Sequence, residues 1–388
     1  MKSYIKAIGL ALMICSRSLT YLLDFQRSSL YLMLLGFTLI LFLSGKEIYN
    51  SKKIGLIFFV SICFIISLIA SGMNTTTIEY CLYFICFGIT SLLVPVIKDI
   101  KKVVRSILAI GIISIWSYTS IDYAEILENV GGINENVAGI FMDISYKTLV
   151  FVLSGVMLVV IDENRIIKIA AALTAAIYTI IAFVYGARGA LLSIAVFLFC
   201  FWIIQAKNMQ VRNKRAMTSV GILLLVVVLF MPIIGFIYEF LESQGIEARA
   251  VERIYHYMYS NESMSAGRDI LYIKAANGIA DSPIWGHGIG SFDNYSGVYP
   301  HNIILQLLYE GGLILAIPLL FLLVKGILLI FSFRHDQLYR NFLLLIFCAG
   351  VFELFLSSYL WMSICLWFFY GQTLLSEKYI RQQQFMNS

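Results

Sequence analysis

Residues 286–324 read GHGIGSFDNYSGVYPHN (Gly286–Asn302), followed without a break by IILQLLYEGGLILAIPLLFLLV (Ile303–Val324). The second part is an apolar run long enough to cross a bilayer core of roughly 30 Å as a helix, the form in which a single segment satisfies its own backbone. The first part is rich in glycine and places two histidines and an aspartate at the mouth of that helix. A chain that puts polar groups at such a point raises two questions: how much of it lies in lipid, and which side the polar stretch faces.

Composition answers the first. The chain has 388 residues, 60% hydrophobic and 13% charged, with a mean hydropathy of +0.86. A water-soluble domain must keep a largely polar exterior and has no place for that much apolar surface, whereas lipid as the solvent removes the difficulty. Apolar runs recur at 5–23, 29–45, 54–71, 77–97, 104–121, 139–161, 165–185, 188–206, 216–240, 302–331, 341–357 and 359–376. The expected fold is therefore all-α: a polytopic membrane helix bundle of about 12 transmembrane helices, forming a single integral membrane domain over 1–388. Lys2 and Lys6 precede the first run in the manner of a signal peptide, but no small-residue cleavage pattern follows, so it reads as an uncleaved span. The seven cysteines all fall inside apolar runs, which excludes a disulfide framework or zinc-type spacing.

Charge distribution answers the second. Cations gather in alternate connections: Lys46, Lys52 and Lys53; Lys98, Lys101, Lys102 and Arg105; Arg165 and Lys168; Lys207, Arg212, Lys214 and Arg215; Arg334 and Arg340; Lys378 and Arg381. Cytoplasmic loops carry such an excess. The net charge of +5 is thus a topology signal rather than a nucleic-acid surface. Both termini are expected in the cytoplasm. The long hydrophilic segment 241–301 is then an extracytoplasmic loop carrying short helices over 246–259 and 267–280.

Several polar residues need a reason at these positions. Arg188, in YGARGA (185–190), stands at an outward-facing junction. It either snorkels to headgroups or offers its planar donor fork to a lipid phosphate. The loop holds Arg249, Arg253 and Arg268 among several carboxylates, as a solvated cap or as an anion-binding lid. His301 sits between Pro300 and Asn302 where the loop re-enters the membrane, either capping the helix or taking a proton from a hydroxyl. His287 reads as a turn residue, and His256 lies in a tyrosine-rich run. Gly286, Gly288 and Gly290 imitate a dinucleotide fingerprint, but no strand precedes them. Four scattered histidines form no metal cluster. Glu79, Asp143, Lys147 and Glu353 lie in or beside spans, where a polar tie between helices is the ordinary role.

Taken together, GRDILYIKAANGIADSPIWGHGIGSF (267–292), YPHNIILQLLYEGG (299–312), YGARGALLS (185–193) and GGINENVAG (131–139) resemble the signature of bacterial O-antigen polymerases and O-antigen ligases. The resemblance implies a metal-independent glycosyltransferase without a cofactor, in the bacterial plasma (inner) membrane with its site facing the exterior. Its substrate would be an oligosaccharide on undecaprenyl pyrophosphate among membrane lipids, with a chain-length regulator as a further partner and no nucleic acid. It implies that Arg188 and Arg268 hold the pyrophosphate and that His301 orients or deprotonates the acceptor hydroxyl. Arg249, Arg253, Asn136, Asn302, Tyr299, Gly288 and Glu310 are the accompanying substrate-binding candidates. Leu315 stands where many members have a second glycine after Gly312, and the Tyr-Pro-His-Asn form is more similar to polymerases. Polymerase is therefore the expected activity, with ligase as the alternative and a lipid-linked sugar transporter as a third reading.

Overall fold

Apolar runs become helices in lipid because no water is present to take the backbone donors and acceptors. The computed structural model follows that rule. It describes residues 2–20, 28–70, 74–120, 135–185, 187–206, 210–214, 218, 235–243, 255, 268–332, 336–357 and 359–386, and among these residues it contains helices and no strand. In chain order the helices are α1 (Lys2–Cys15), α2 (Ser28–Ser44), α3 (Ser51–Ala70), α4 (Thr75–Leu93), α5 (Ile100–Thr119), α6 (Glu135–Ile161) and α7 (Arg165–Tyr185). They continue as α8 (Arg188–Ile204), α9 (Arg268–Asp281), α10 (Ser291–Ser296), α11 (Ile303–Ile330), α12 (Gln337–Phe355) and α13 (Ile364–Met386).

Six of these are long and apolar enough to cross a membrane: α3, α4, Gly139–Ile161 of α6, α7, α11 and α12. Three shorter apolar helices, α2, α8 and Ile364–Leu375 of α13, accompany them. The last of the expected apolar runs starts later than the sequence pattern proposed: residues 360–363 form turns, and the helix begins at Ile364. Most of the run at 216–240 and most of the short helix expected at 246–259 lie outside the described residues.

Beside its apolar core the chain also exposes many large apolar side chains and buries a set of polar ones. Ser91, Ser114, Asn341, Gln372 and Thr373 are buried, while Phe42, Phe58, Ile69, Phe321 and Leu328 are exposed. Polar groups inside and apolar groups outside suit a hydrocarbon surround.

The chain divides into two compact units. Met1–Ser16, Phe25–Val103 and Ser265–Ser388 form the first, and Arg17–Asp24 with Val104–Met264 form the second. In the second, α6 and α7 pack closely where Gly155 meets the backbone of Ala171, and Tyr118 meets the rings of Phe151 and Tyr178 edge to face. Charged ties hold its helices. Arg105 grips the fully buried Asp162 with two bonds, of 2.7 and 2.8 Å, and Asp143 pairs with Arg17 at 3.0 Å and Lys147 at 2.5 Å. Asp143 and Lys147 share one helix and tie it to the turn at Arg17, rather than to a second helix as their position implied.

The first unit is built on an aromatic core in which Phe64, Phe84, Trp361 and Trp367 contact one another. Within it α11 is broken. At Gly312 the backbone adopts φ 55° and ψ −158°, a region open in practice only to glycine. The helical bonds from Leu313 and Ile314 back to residues four positions earlier are absent, and the preceding loop replaces them. Leu313 N–H donates to Pro283 at 2.9 Å and Ile314 N–H to Ile284 at 3.3 Å, while His287 N–H donates to Tyr309 and Gly288 N–H to Glu310, both at 2.8 Å. Four backbone bonds therefore splice residues 283–288 into the helix. The approach is so close that a Cβ on Gly312 would stand 2.3 Å from the Ile284 carbonyl, and one on Gly286 would stand 2.6 Å from that of Glu310. This is what the glycines at the helix mouth are for.

Candidate active site

The spliced loop fixes the polar stretch in the first unit. Ile289 N–H donates to Ser67 Oγ at the end of α3 (3.0 Å), and Thr77 Oγ1 at the start of α4 donates to the Ile289 carbonyl (2.8 Å). Behind the loop, Ala275 of α9, Phe292 of α10 and Tyr309 of α11 form a small apolar core. His287 packs on the Tyr309 ring and bonds the Gly278 carbonyl at 2.7 Å, a structural tie in keeping with a turn residue.

His301 closes the loop. It is the one non-glycine residue at positive φ (52°) among the described residues, a conformation that costs an L-residue roughly 1–2 kcal/mol. The strain is enforced from both sides. Pro300 precedes it, and Asn302 follows as the N-cap of α11, its side-chain oxygen accepting from Ile304 N–H (2.9 Å) and Leu305 N–H (3.2 Å). Strain at a polar residue held by its neighbours is a mark of a working position. The imidazole packs 4.1 Å from the Tyr299 ring, and its Nδ1 is buried without a partner.

Arg268 is the first residue of α9. Among the described residues its guanidinium has no carboxylate or hydrogen-bond partner. It lies close enough to His301 to act on it: burial first, and the Arg268 charge second, hold the imidazole down to about 4. His301 is therefore uncharged at neutral pH and has an acceptor nitrogen to offer. An unpaired cation beside a neutral imidazole can receive an anion and a proton at one place.

A second set of groups continues from His301. The Tyr299 ring lies tilted 4.3 Å from that of Tyr359, its hydroxyl 3.2 Å from Ser357 Oγ, and Tyr359 in turn meets the Tyr80 ring at 6.2 Å. The Tyr80 hydroxyl donates to Asp293 Oδ2. Burial raises the Asp293 carboxyl to about 6 against the lowering effect of that bond. Burial, with Tyr299 and Asp293 adding to it, pushes the Tyr359 hydroxyl up to about 12.

The remaining sequence candidates fall as follows. Tyr299, His301, Arg268 and Asn302 lie in the first unit, the side chain of Asn302 being engaged as a helix cap. Gly288 acts through its backbone bond to Glu310. Glu310 is 1% exposed, and its two oxygens accept from Gln306 Nε2 and Trp361 Nε1, both at 3.0 Å, so its bonds are to the protein framework. Arg188 opens α8 in the second unit, where the preceding amide of Ala187 donates to Ser145 Oγ at 3.3 Å. Asn136 belongs to the first turn of α6. Arg249 and Arg253 lie outside the described residues.

Sequence reasoning did not single out Tyr80, Tyr359 or Trp361. Asp293 lay in plain view in the glycine-rich stretch, but its distinguishing feature is its partner, which is 213 residues away in sequence.

The described chain thus has apolar helices of membrane length, and Arg268 lies near His301 at the end of a broken helix. Comparison with protein families makes this more specific. Residues 170–320 match the family described as O-Antigen ligase, in agreement with the resemblance read from the sequence, and the apolar helices suit a multi-pass membrane protein. No curated protein and no solved structure matches the chain.

Proposed function

We propose that this chain is an O-antigen polymerase. It joins oligosaccharide repeat units carried on undecaprenyl pyrophosphate, on the outer face of the bacterial inner membrane, without a metal ion. The single observation that supports this best is the Arg268 guanidinium, without a partner among the described residues, beside the uncharged His301, within the segment that matches the family. As the acceptor hydroxyl attacks the anomeric carbon, His301 takes its proton. The bond from that carbon to the diphosphate oxygen breaks, and its electron pair leaves with the diphosphate. Arg268, which has no carboxylate partner among the described residues, receives the charge that develops there. Direct displacement inverts the anomeric centre. The motif around Arg188 carries the same expectation of diphosphate binding, while Arg249 and Arg253 of the loop remain substrate-binding candidates.

The wider topology belongs to the same reading: twelve spans, cytoplasmic termini, and an extracytoplasmic loop over 241–301 that a chain-length regulator can reach. A second reading keeps the chemistry and changes the acceptor. The matched family is described as a ligase, which passes the finished polymer to lipid A-core. Loss of the gene separates the two. A polymerase mutant leaves lipopolysaccharide capped by a single repeat, whereas a ligase mutant accumulates full-length polymer on the lipid carrier. Purified protein forms new glycosidic bonds from lipid-linked repeats alone under the first reading, and only with lipid A-core added under the second; transport of the lipid without bond formation in either mixture would overturn both.

A further inference from the structure

The diphosphate and the proton account for Arg268 and His301 and leave unexplained what lies beyond them. From His301 a row of rings runs through Tyr299 and Tyr359 to Tyr80, each in contact with the next, and ends at Asp293. Tyr359 is 39% exposed and Tyr299 half-buried, so ring surface is open to a ligand. Only one carboxylate oxygen of Asp293 is used, by Tyr80; the other, Oδ1, is buried with no partner. Ser296, one turn along the same short helix, also has a buried hydroxyl without a partner, as has Nδ1 of His301. Buried polar atoms in native structures are normally satisfied, and three orphans within nine residues mark a place where a ligand supplies the missing bonds.

The ligand chemistry follows from the groups. Aromatic faces cover the apolar C–H faces of a pyranose ring, and a carboxylate oxygen accepts from its hydroxyls. A phosphate is excluded from the Asp293 end, because a second anion there would be repelled. We infer that Asp293, with Ser296 and the faces of Tyr299 and Tyr359, forms the subsite that holds the acceptor sugar, an uncharged hexose-type ring, so that one of its hydroxyls reaches His301. Burial, which raises the Asp293 pKa to about 6, fits a carboxyl kept in a dry site for this task. The assignment rests on the glycosyltransferase reading given above and adds the sugar-recognising half of that site, leaving Arg268 to the lipid diphosphate.

The test uses the full-length protein in detergent and two probes: the free repeat oligosaccharide released by mild acid from the producing strain's lipid-linked precursor, and undecaprenyl diphosphate. Titration calorimetry measures each on wild type, Asp293→Ala and Tyr359→Leu, with the thermal midpoint of each variant as the check on its folding. The expected result is a loss of about tenfold or more in oligosaccharide affinity in both variants, the size of one charged hydrogen bond or one ring stack, with diphosphate affinity unchanged. Oligosaccharide binding equal to wild type in the variants, parallel loss of both probes, or no oligosaccharide binding by wild type overturns the subsite. Polymer formation by the same wild-type preparation is read separately. Product without an effect of the variants on sugar binding removes the subsite and leaves the enzyme reading intact. Sugar binding lost in the variants, with no product from wild type, does the reverse.

Discussion

The amide of Gly288 donates to the carbonyl of Glu310 at 2.8 Å, so a loop residue fills a place that Ile314 would occupy in an unbroken helix. Through this bond the chemistry-bearing stretch is attached to the membrane helix by backbone rather than by side chains. Side-chain changes in the loop therefore leave its path largely intact, whereas a methyl group at the splice does not.

Gly312→Ala introduces a Cβ 2.3 Å from Ile284 backbone in a φ/ψ region that alanine avoids. It is expected to lower the thermal midpoint severely or prevent accumulation of folded protein, a loss of more than about 3 kcal/mol. Gly297→Ala is the control. Its φ is also positive, at 75°, but nothing lies within 4 Å, so the expected loss is about 1–2 kcal/mol. Thermal unfolding in detergent measures both, and equal midpoints would show that the splice is not tight.

His301→Asn separates strain from chemistry. Asparagine enters the left-handed region more readily than histidine, so stability should hold or rise by up to about 1 kcal/mol. Turnover should fall by about 10² to 10⁴ if the imidazole carries the proton. A stable variant with normal polymer length would remove His301 from the reaction.

The pH behaviour follows from the same residue. Because its folded-state value, about 4, lies below the ordinary 6.5, the unfolded chain takes up the proton first. The His301 contribution to stability is therefore complete above about 6.5 and declines toward pH 4. Relative to wild type, His301→Asn should lack that decline. The charged and titratable groups acting on the imidazole are Arg268 and burial itself, and kcat should stay level down to about pH 5. Asp293, which faces Tyr80, Tyr359 and Glu310, titrates near 6, so acceptor KM should rise as the pH falls through that value. A kcat limb at 6.5 or a flat acceptor KM contradicts these assignments.

Replacing Arg268 by lysine keeps the charge and removes the planar fork. A fall in kcat/KM of about tenfold to a hundredfold is expected, read with lipid-linked substrate. Arg188→Lys should behave alike. Near-wild-type kinetics in either variant would take that residue off the diphosphate.

Much of this was legible in the sequence. Apolar runs gave the helices, and Asn302 announced the start of α11, because a capping side chain acts on its own neighbours. Arg268 opening a short helix was equally local. The splice was not legible, since which carbonyl a loop amide will find depends on where the chain returns. Glu310 illustrates the difficulty: beside His301 in sequence it looked like a substrate ligand, yet Trp361, 51 residues on, takes one of its oxygens. Tyr80 and Tyr359 looked like ordinary interfacial tyrosines until the fold set them beside Asp293 and Tyr299.

The interruption at Gly312 also bears on biogenesis. Residues 283–288 leave the ribosome before the segment they complete, so the donors and acceptors exposed by the gap have partners waiting when that segment enters the bilayer. A circular permutant that moved those six residues to the far end of the polypeptide would insert a span with four open amide and carbonyl positions, and quality-control proteases would see it first.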